Sequence, residues 1–147
     1  MTTKADFSEQ EWEQVLEGPT SAGMVVITAQ RGGTFRETIS MAKAYAEARK
    51  LHGQSELLDA IASTKPEVDH AHEGSLEEVK QHYLANVRTA VRLLDGKASA
   101  QELADYKQFI VNLANRVASA HKEGRHAESP ISDAEQSAIA AITEALG

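Results

Sequence analysis

The capping box is the feature that most constrains this chain. In it, a Ser or Thr hydroxyl accepts a hydrogen bond from a first-turn backbone N–H that has no helical partner. A Glu three residues on reaches back to the N–H of the cap itself. Five instances open periodic segments, at Ser8/Glu11, Thr34/Glu37, Ser75/Glu78, Ser99/Glu102 and Ser132/Glu135. Each instance precedes apolar residues spaced three or four apart. A single match carries little information, but five before periodic segments mark five helix starts. The expected fold class is all-α.

Extending these starts predicts about seven helices in one compact bundle, residues 1–147 forming a single domain. Helix one runs from Ser8 to Glu17, with Phe7 and Trp12 placed as a hydrophobic staple, and Gly18-Pro19 ends it. Thr20 to Gln30 reads as a buried central helix. Met24-Val25-Val26-Ile27 would also suit a buried strand, but a lone strand in a helical domain has no ladder partner. Helix three spans Thr34 to about Lys50, with Phe35, Ile39, Ala42 and Ala46 inward. A short helix carries Leu57, Leu58 and Ile61 and stops before Pro66. Helix five spans Ser75 to about Asp95, with Leu76, Val79, Tyr83, Val87, Ala90 and Leu94 on one face and Gly96 as its terminal glycine. Helix six follows from Ser99 to about Lys122 with a stripe of Leu103, Tyr106, Ile110, Leu113 and Val117. The closing helix, from Ser132, shows Ile139, Ile142 and Leu146.

Composition narrows the function classes. At 147 residues the chain can bury about two-thirds of its unfolded surface without a disulfide or metal. Aromatic content is 5%, so Leu, Val, Ile and Ala must fill the core. The absence of cysteine excludes a disulfide scaffold, a thiolate metal site and a cysteine nucleophile. The longest strongly apolar stretch, Ala22 to Ala29, is far shorter than a membrane span of about 20 residues. Met1 to Ser8 has no apolar signal region, so a cytoplasmic location is expected and no membrane partner. A net charge of −7 opposes approach to a phosphate backbone. The best basic cluster, Lys80, Arg88 and Arg92, forms no stripe, so no nucleic-acid partner is expected.

The sharpest candidate for chemistry is Asp69-His70-Ala71-His72-Glu73. Imidazole and carboxylate are good ligands for divalent metals, and in an extended loop His70 and His72 point the same way. Asp69, His70, His72 and Glu73 are therefore the candidate metal ligands. The same residues also suit a solvated polar loop before a helix N-terminus. Glu67/His70 and Glu123/His126 share the Glu-x-x-His spacing of carboxylate-bridged di-iron bundles, but Pro66 and Gly124 interrupt the helices that spacing needs. Arg31-Gly32-Gly33-Thr34 precedes a helix start and reads either as an anion-binding turn or as a tight turn needing glycine. Gln108, Asn112, Asn115 and Ser119 form a polar row on helix six, either a solvated face or a partner-binding one. No Ser–His–Asp order, nucleophile elbow or dinucleotide fingerprint is present. No catalytic residue and no cofactor are expected.

The helix Ser21-Ala22-Gly23-Met24-Val25-Val26-Ile27-Thr28-Ala29, the Gly32-Gly33 turn after it, and the closing helix from Ser132-Asp133-Ala134-Glu135 to Leu146 resemble the tellurite-resistance TerB-type helical domain. The Lys122-Glu123-Gly124 turn and closing helix are also similar to those of uncharacterised bacterial all-helical proteins. The TerB resemblance implies an all-α fold and a stress-resistance accessory role. That family tends to place an acidic Asp-Gly turn after its small-residue helix, contributing to a metal-binding surface. Here the stretch is Gln30-Arg31-Gly32, so that cation site does not carry over.

Two functions are therefore expected. The first is a non-enzymatic helical interaction domain, binding an unknown protein or forming a homodimer. Ala134, Ala138, Ala141 and Ala145, an edge that permits close helix approach, motivate the homodimer. The second is a divalent-metal-binding accessory protein using Asp69, His70, His72 and Glu73.

Overall fold

A computed structural model describes residues 3–29, 42–47, 50, 56–64, 75–123 and 133–147. A 3-10 turn, Lys4–Asp6, leads into α1, Glu9–Ala29. Helical residues 42–47 form α2. Then come α3, Glu56–Ser63, α4, Leu76–Lys97, α5, Ala100–Glu123, and α6, Asp133–Leu146. The fold is all-α, with no strand among the described residues.

The caps are made as the sequence predicts. Ser8 N–H donates to Glu11 Oε1 at 2.9 Å, and Glu11 N–H donates to Ser8 Oγ at 3.1 Å. Ser99 and Glu102 repeat the exchange at 3.0 and 3.1 Å. At Ser75 the Glu78 N–H donates to Oγ at 3.2 Å, while the hydroxyl itself donates to Glu78 Oε1 at 3.3 Å. The Thr34/Glu37 box and Ser132 lie outside the described residues, although α6 begins at Asp133, one residue after the expected cap. The staple is present too: the Phe7 and Trp12 rings lie 5.7 Å apart.

Gly18-Pro19 does not end the first helix. Helix α1 runs unbroken through Pro19, merging two predicted helices, so six α-helical segments rather than seven appear among the described residues. Proline in a helix interior removes the bond to the carbonyl four residues back, at a cost of about 3 kcal/mol. That carbonyl belongs to Val15. Tyr106, wholly buried on α5, donates its hydroxyl to the Val15 oxygen at 2.6 Å and restores the lost bond from a different helix. Gly18 makes the approach possible. A Cβ there would overlap Tyr106 Oη and stand 3.0 Å from Ala90 Cβ.

Helix α1 packs most extensively on α4, then on α5 and α6, and so forms the centre of the bundle. Its core residues are Val15, Ala22, Val25, Val26 and Ile27. They meet Val79, Tyr83, Val87, Ala90 and Leu94 of α4 and Tyr106, Ile110, Leu113 and Val117 of α5. Both stripes match the predicted faces. Leu103 and Ile139, expected to be buried, are half-buried at the core margin, and the Leu76 side chain lies outside the described residues. Two buried hydroxyls of α1 sit against this core. Thr20 donates to the Glu17 carbonyl at 3.3 Å, and Ser21 accepts from Asn86 of α4 at 3.1 Å.

Gly96 is not a terminal glycine either. Helix α4 continues to Lys97, and extended Ala98 caps it by donating its N–H to the Leu94 carbonyl at 2.7 Å. A tertiary anchor accounts for the extra residues. Lys97 Nζ donates to the Asp6 carbonyl at 2.9 Å, pairs with Glu11 at 3.4 Å, and stands 5.5 Å from the centre of the Phe7 ring. Ser8 N–H first, and Lys97 second, hold the Glu11 carboxyl below its ordinary pKa.

Candidate functional site

Within the described residues, α5 and the α2 segment resting on it form the candidate site. Helix α5 buries one face in the core. The opposite face carries Gln108, Asn112 and Asn115, all exposed. Gln108 Nε2 donates to Asn112 Oδ1 at 2.9 Å, and Asn115 Nδ2 donates to the Val111 carbonyl at 3.0 Å. At helical spacing, half-buried Val111 flanks this amide row on one side and half-buried Phe109 on the other. The row is thus an amide stripe with an apolar margin at Val111 and a mixed one on the other side, where Asp105 and Arg116 stand beside Phe109. The side chain of Ser119, its fourth predicted member, lies outside the described residues.

Beyond Phe109 lies α2. Phe109 meets Tyr45 edge to face, with ring centres 5.4 Å apart and planes at 82°. Arg116 and Glu47 form an ion pair alongside, with both side chains well exposed. Of residues 42–47, Ala44 and Tyr45 are buried, Ala46 is half-buried and Ala42 is exposed. The predicted inward pair, Ala42 and Ala46, is therefore displaced. Among the described residues Phe109 is one packing partner of α2, and it is the Tyr45 ring that meets it.

Tyr45 is where sequence reading missed most. It is 2% exposed, and its hydroxyl has no hydrogen-bond partner among the described residues. Burial holds its pKa well above the ordinary phenol value. The Tyr106 phenol is raised too, by burial first and by the proximity of Tyr45 second. Burying an aliphatic or aromatic side chain contributes about 1.5–3 kcal/mol. An unmet hydroxyl costs about 1–3 kcal/mol, so the two effects on Tyr45 nearly cancel. The spacing places Tyr106 on an inward stripe and leaves Tyr45 off one, and nothing in the sequence says which of the two hydroxyls finds an acceptor.

The other predicted positions divide by location. Asp69, His70, His72 and Glu73 lie outside the described residues, as do Glu67, His126, Gly124 and Arg31 to Thr34. The divalent-metal reading thus stands on the sequence alone. Among the described residues, no group of three His, Asp or Glu side chains is placed to hold a metal ion. His82 is exposed on α4, its ring centre 5.4 Å from that of Tyr83. Of the alanine edge of α6, Ala138 and Ala145 are buried and Ala141 is half-buried against the core, while the side chain of Ala134 lies outside the described residues, so the described part of the surface that motivated a homodimer through this helix is occupied by the bundle itself.

Of the TerB-like positions, Ser21 to Ala29 form the second half of α1, while Gly32-Gly33 lies outside the described residues. No family model, no curated protein and no solved structure matches this chain. No helix among the described residues is long and apolar enough to cross a membrane.

Proposed function

We propose that the chain is a non-enzymatic helical interaction domain that binds another protein, or a second copy of itself, through the outer face of α5. The observation that carries this reading is the exposed amide row Gln108, Asn112 and Asn115 with Val111 and Phe109 at its margins. The centres of protein interfaces are depleted in charged side chains, because desolvating a charge costs far more than desolvating an amide or an apolar edge. A quarter of the residues in this chain are charged, so three uncharged amides in register on one face are a surface suited to being covered.

Sedimentation at micromolar concentration tests the self-associating form. A mass that rises with concentration, and returns to monomer in Asn112→Arg without a change in thermal stability, is the expected result. Asn112 is exposed, so the substitution alters the face and not the core. A stable contact here should bury about 1,000 Å² or more. The heterologous form is tested with a photo-crosslinker at position 112 and a control at Ala85, exposed on α4. A strict monomer, with no adduct from position 112 beyond that from position 85, retires the reading.

A further inference from the structure

We propose that the partner of the α5 face is a second copy of this chain, docked α5 against α5, antiparallel, about a twofold axis near position 110. This choice of partner rests on the proposed function, which makes the face a binding surface. A twofold contact requires a surface complementary to itself, and two features supply that here. The first is the amide row. An amide carries both donors and an acceptor, so such a row can pair with its own copy, which a row of carboxylates or of ammonium groups cannot do. The second is charge. Half-buried Asp105 and Arg116, 41% exposed, stand on the same edge of the face. The helical rise sets them about 16 Å apart along the axis of α5. In an antiparallel contact, like edges meet and residue order reverses. Asp105 of each copy then faces Arg116 of the other, twice across one axis. In a parallel contact this edge would instead meet that of Ala104 and Val111, which carry no charge. The aspartate and the arginine therefore select the antiparallel form. The same register serves the rest of the face. With the axis near position 110, Gln108 of one copy lies opposite Asn112 of the other. Half-buried Phe109 comes beside its counterpart on one margin, and half-buried Val111 beside its counterpart on the other. Within its own chain Arg116 pairs with Glu47, and Asp105 Oδ1 accepts from Gln101 Nε2 at 2.9 Å. A guanidinium and a carboxylate each offer further positions, so these ties are compatible with a contact across the axis. The net charge of −7 on each copy opposes approach at long range. At about 0.1 M salt, exposed charges more than about 10 Å apart are largely screened, while partly buried pairs in contact are screened much less.

The chain has no cysteine, so an introduced thiol is a unique attachment point. Asn112→Cys and Gln101→Cys both occupy exposed positions on this face. In the antiparallel register, position 112 lies about 6 Å along the helix from its counterpart, and position 101 about 27 Å. A short bis-maleimide at about 0.1 M salt should therefore link Asn112→Cys into a covalent dimer and leave Gln101→Cys monomeric. Equal linkage at both positions would mean parallel helices and would overturn the proposal. Sedimentation reads the charge pair separately. Asp105→Arg and Arg116→Asp each set like charges across the axis, and each should weaken association by about tenfold or more. Both substitutions in one chain restore opposite charges and should restore the dimer. A double variant that associates no better than the single ones would also overturn the proposal. Glu47→Gln removes the tie to Arg116 within the chain and should leave association unchanged. The fate of the α5 face itself is read apart from the choice of partner. A strict monomer whose position 112 crosslinks to a different protein overturns the twofold contact and leaves the face a binding surface. Self-association that survives Asn112→Arg overturns both.

Discussion

Two buried tyrosines, one on α5 and one on α2, lie near enough for Tyr45 to influence the ionisation of Tyr106, yet they do opposite things. Tyr106 donates to the Val15 carbonyl that Pro19 leaves without a partner, so its hydroxyl supports the central helix. The Tyr45 hydroxyl is buried with no partner among the described residues, so it opposes the seating of its own helix. The ring is the same and so is the depth. What differs is whether an acceptor stands within reach. A buried polar group is an asset only when paired, and the pairing is a property of the neighbour.

The strongest way to break the comparison is at Gly18. Replacing glycine by alanine in a helix interior ordinarily stabilises by about 1 kcal/mol. Here the new methyl would displace Tyr106 from Val15 and press on Ala90. Gly18→Ala should therefore destabilise by about 2–4 kcal/mol in urea unfolding, combining overpacking with an orphaned carbonyl. A stabilised Gly18→Ala would show that Tyr106 is not held against the helix.

A matched pair of phenylalanine substitutions sharpens the contrast next. Tyr106→Phe should cost about 1–3 kcal/mol, because the Val15 carbonyl stays buried and loses its donor. Tyr45→Phe should be neutral or stabilising by about 1 kcal/mol, because it removes an unmet group and keeps the ring against Phe109. The same sign for both would dissolve the distinction.

The smallest effect is read in alkali. Both phenols are raised above the ordinary value of 10.0, so each favours the folded state while neutral. That stability is fully present below pH 10, where the unfolded phenols are also protonated. It is lost as pH rises through the range in which only the unfolded chain ionises. Each phenol should contribute a slope of about 1.4 kcal/mol per pH unit above pH 10. Tyr45→Phe and Tyr106→Phe should each remove one such increment, the one property the two residues share. An unchanged slope in either variant would show that phenol to be accessible.

Local signals in the chain were enough for the helix starts at Ser8, Ser75 and Ser99 and for most of the apolar faces of α4 and α5. Capping boxes and stripes act within one or two turns, so Ser8/Glu11, Ser99/Glu102 and the face from Val79 to Leu94 appear where their spacing predicts. Gly18-Pro19 and Gly96 are also local signals, and both mislead, for one reason. Each marks a helix end by the loss of a local bond or the freedom to turn, and a distant residue then supplies what is missing. Tyr106, 91 positions beyond Val15, restores the proline's lost bond, and Lys97, 91 positions beyond Asp6, anchors the end of α4 past its glycine. The alanines of α6 show the same limit, since their spacing marks a close-packing edge without naming the helix that fills it.

The sequence by itself determined an all-α chain, its cysteine-free chemistry, most helix starts and the residues of the α4 and α5 core faces. Tertiary structure alone decided that α1 is one helix, that Ala138, Ala141 and Ala145 pack against the core, and that among the described residues the Tyr106 hydroxyl finds an acceptor while that of Tyr45 does not. Helix starts and faces depend on residues within four positions of one another, which a sequence displays directly. Pairing of a buried hydroxyl depends on an acceptor brought within about 3 Å from anywhere in the chain, and only the folded arrangement of helices sets that distance.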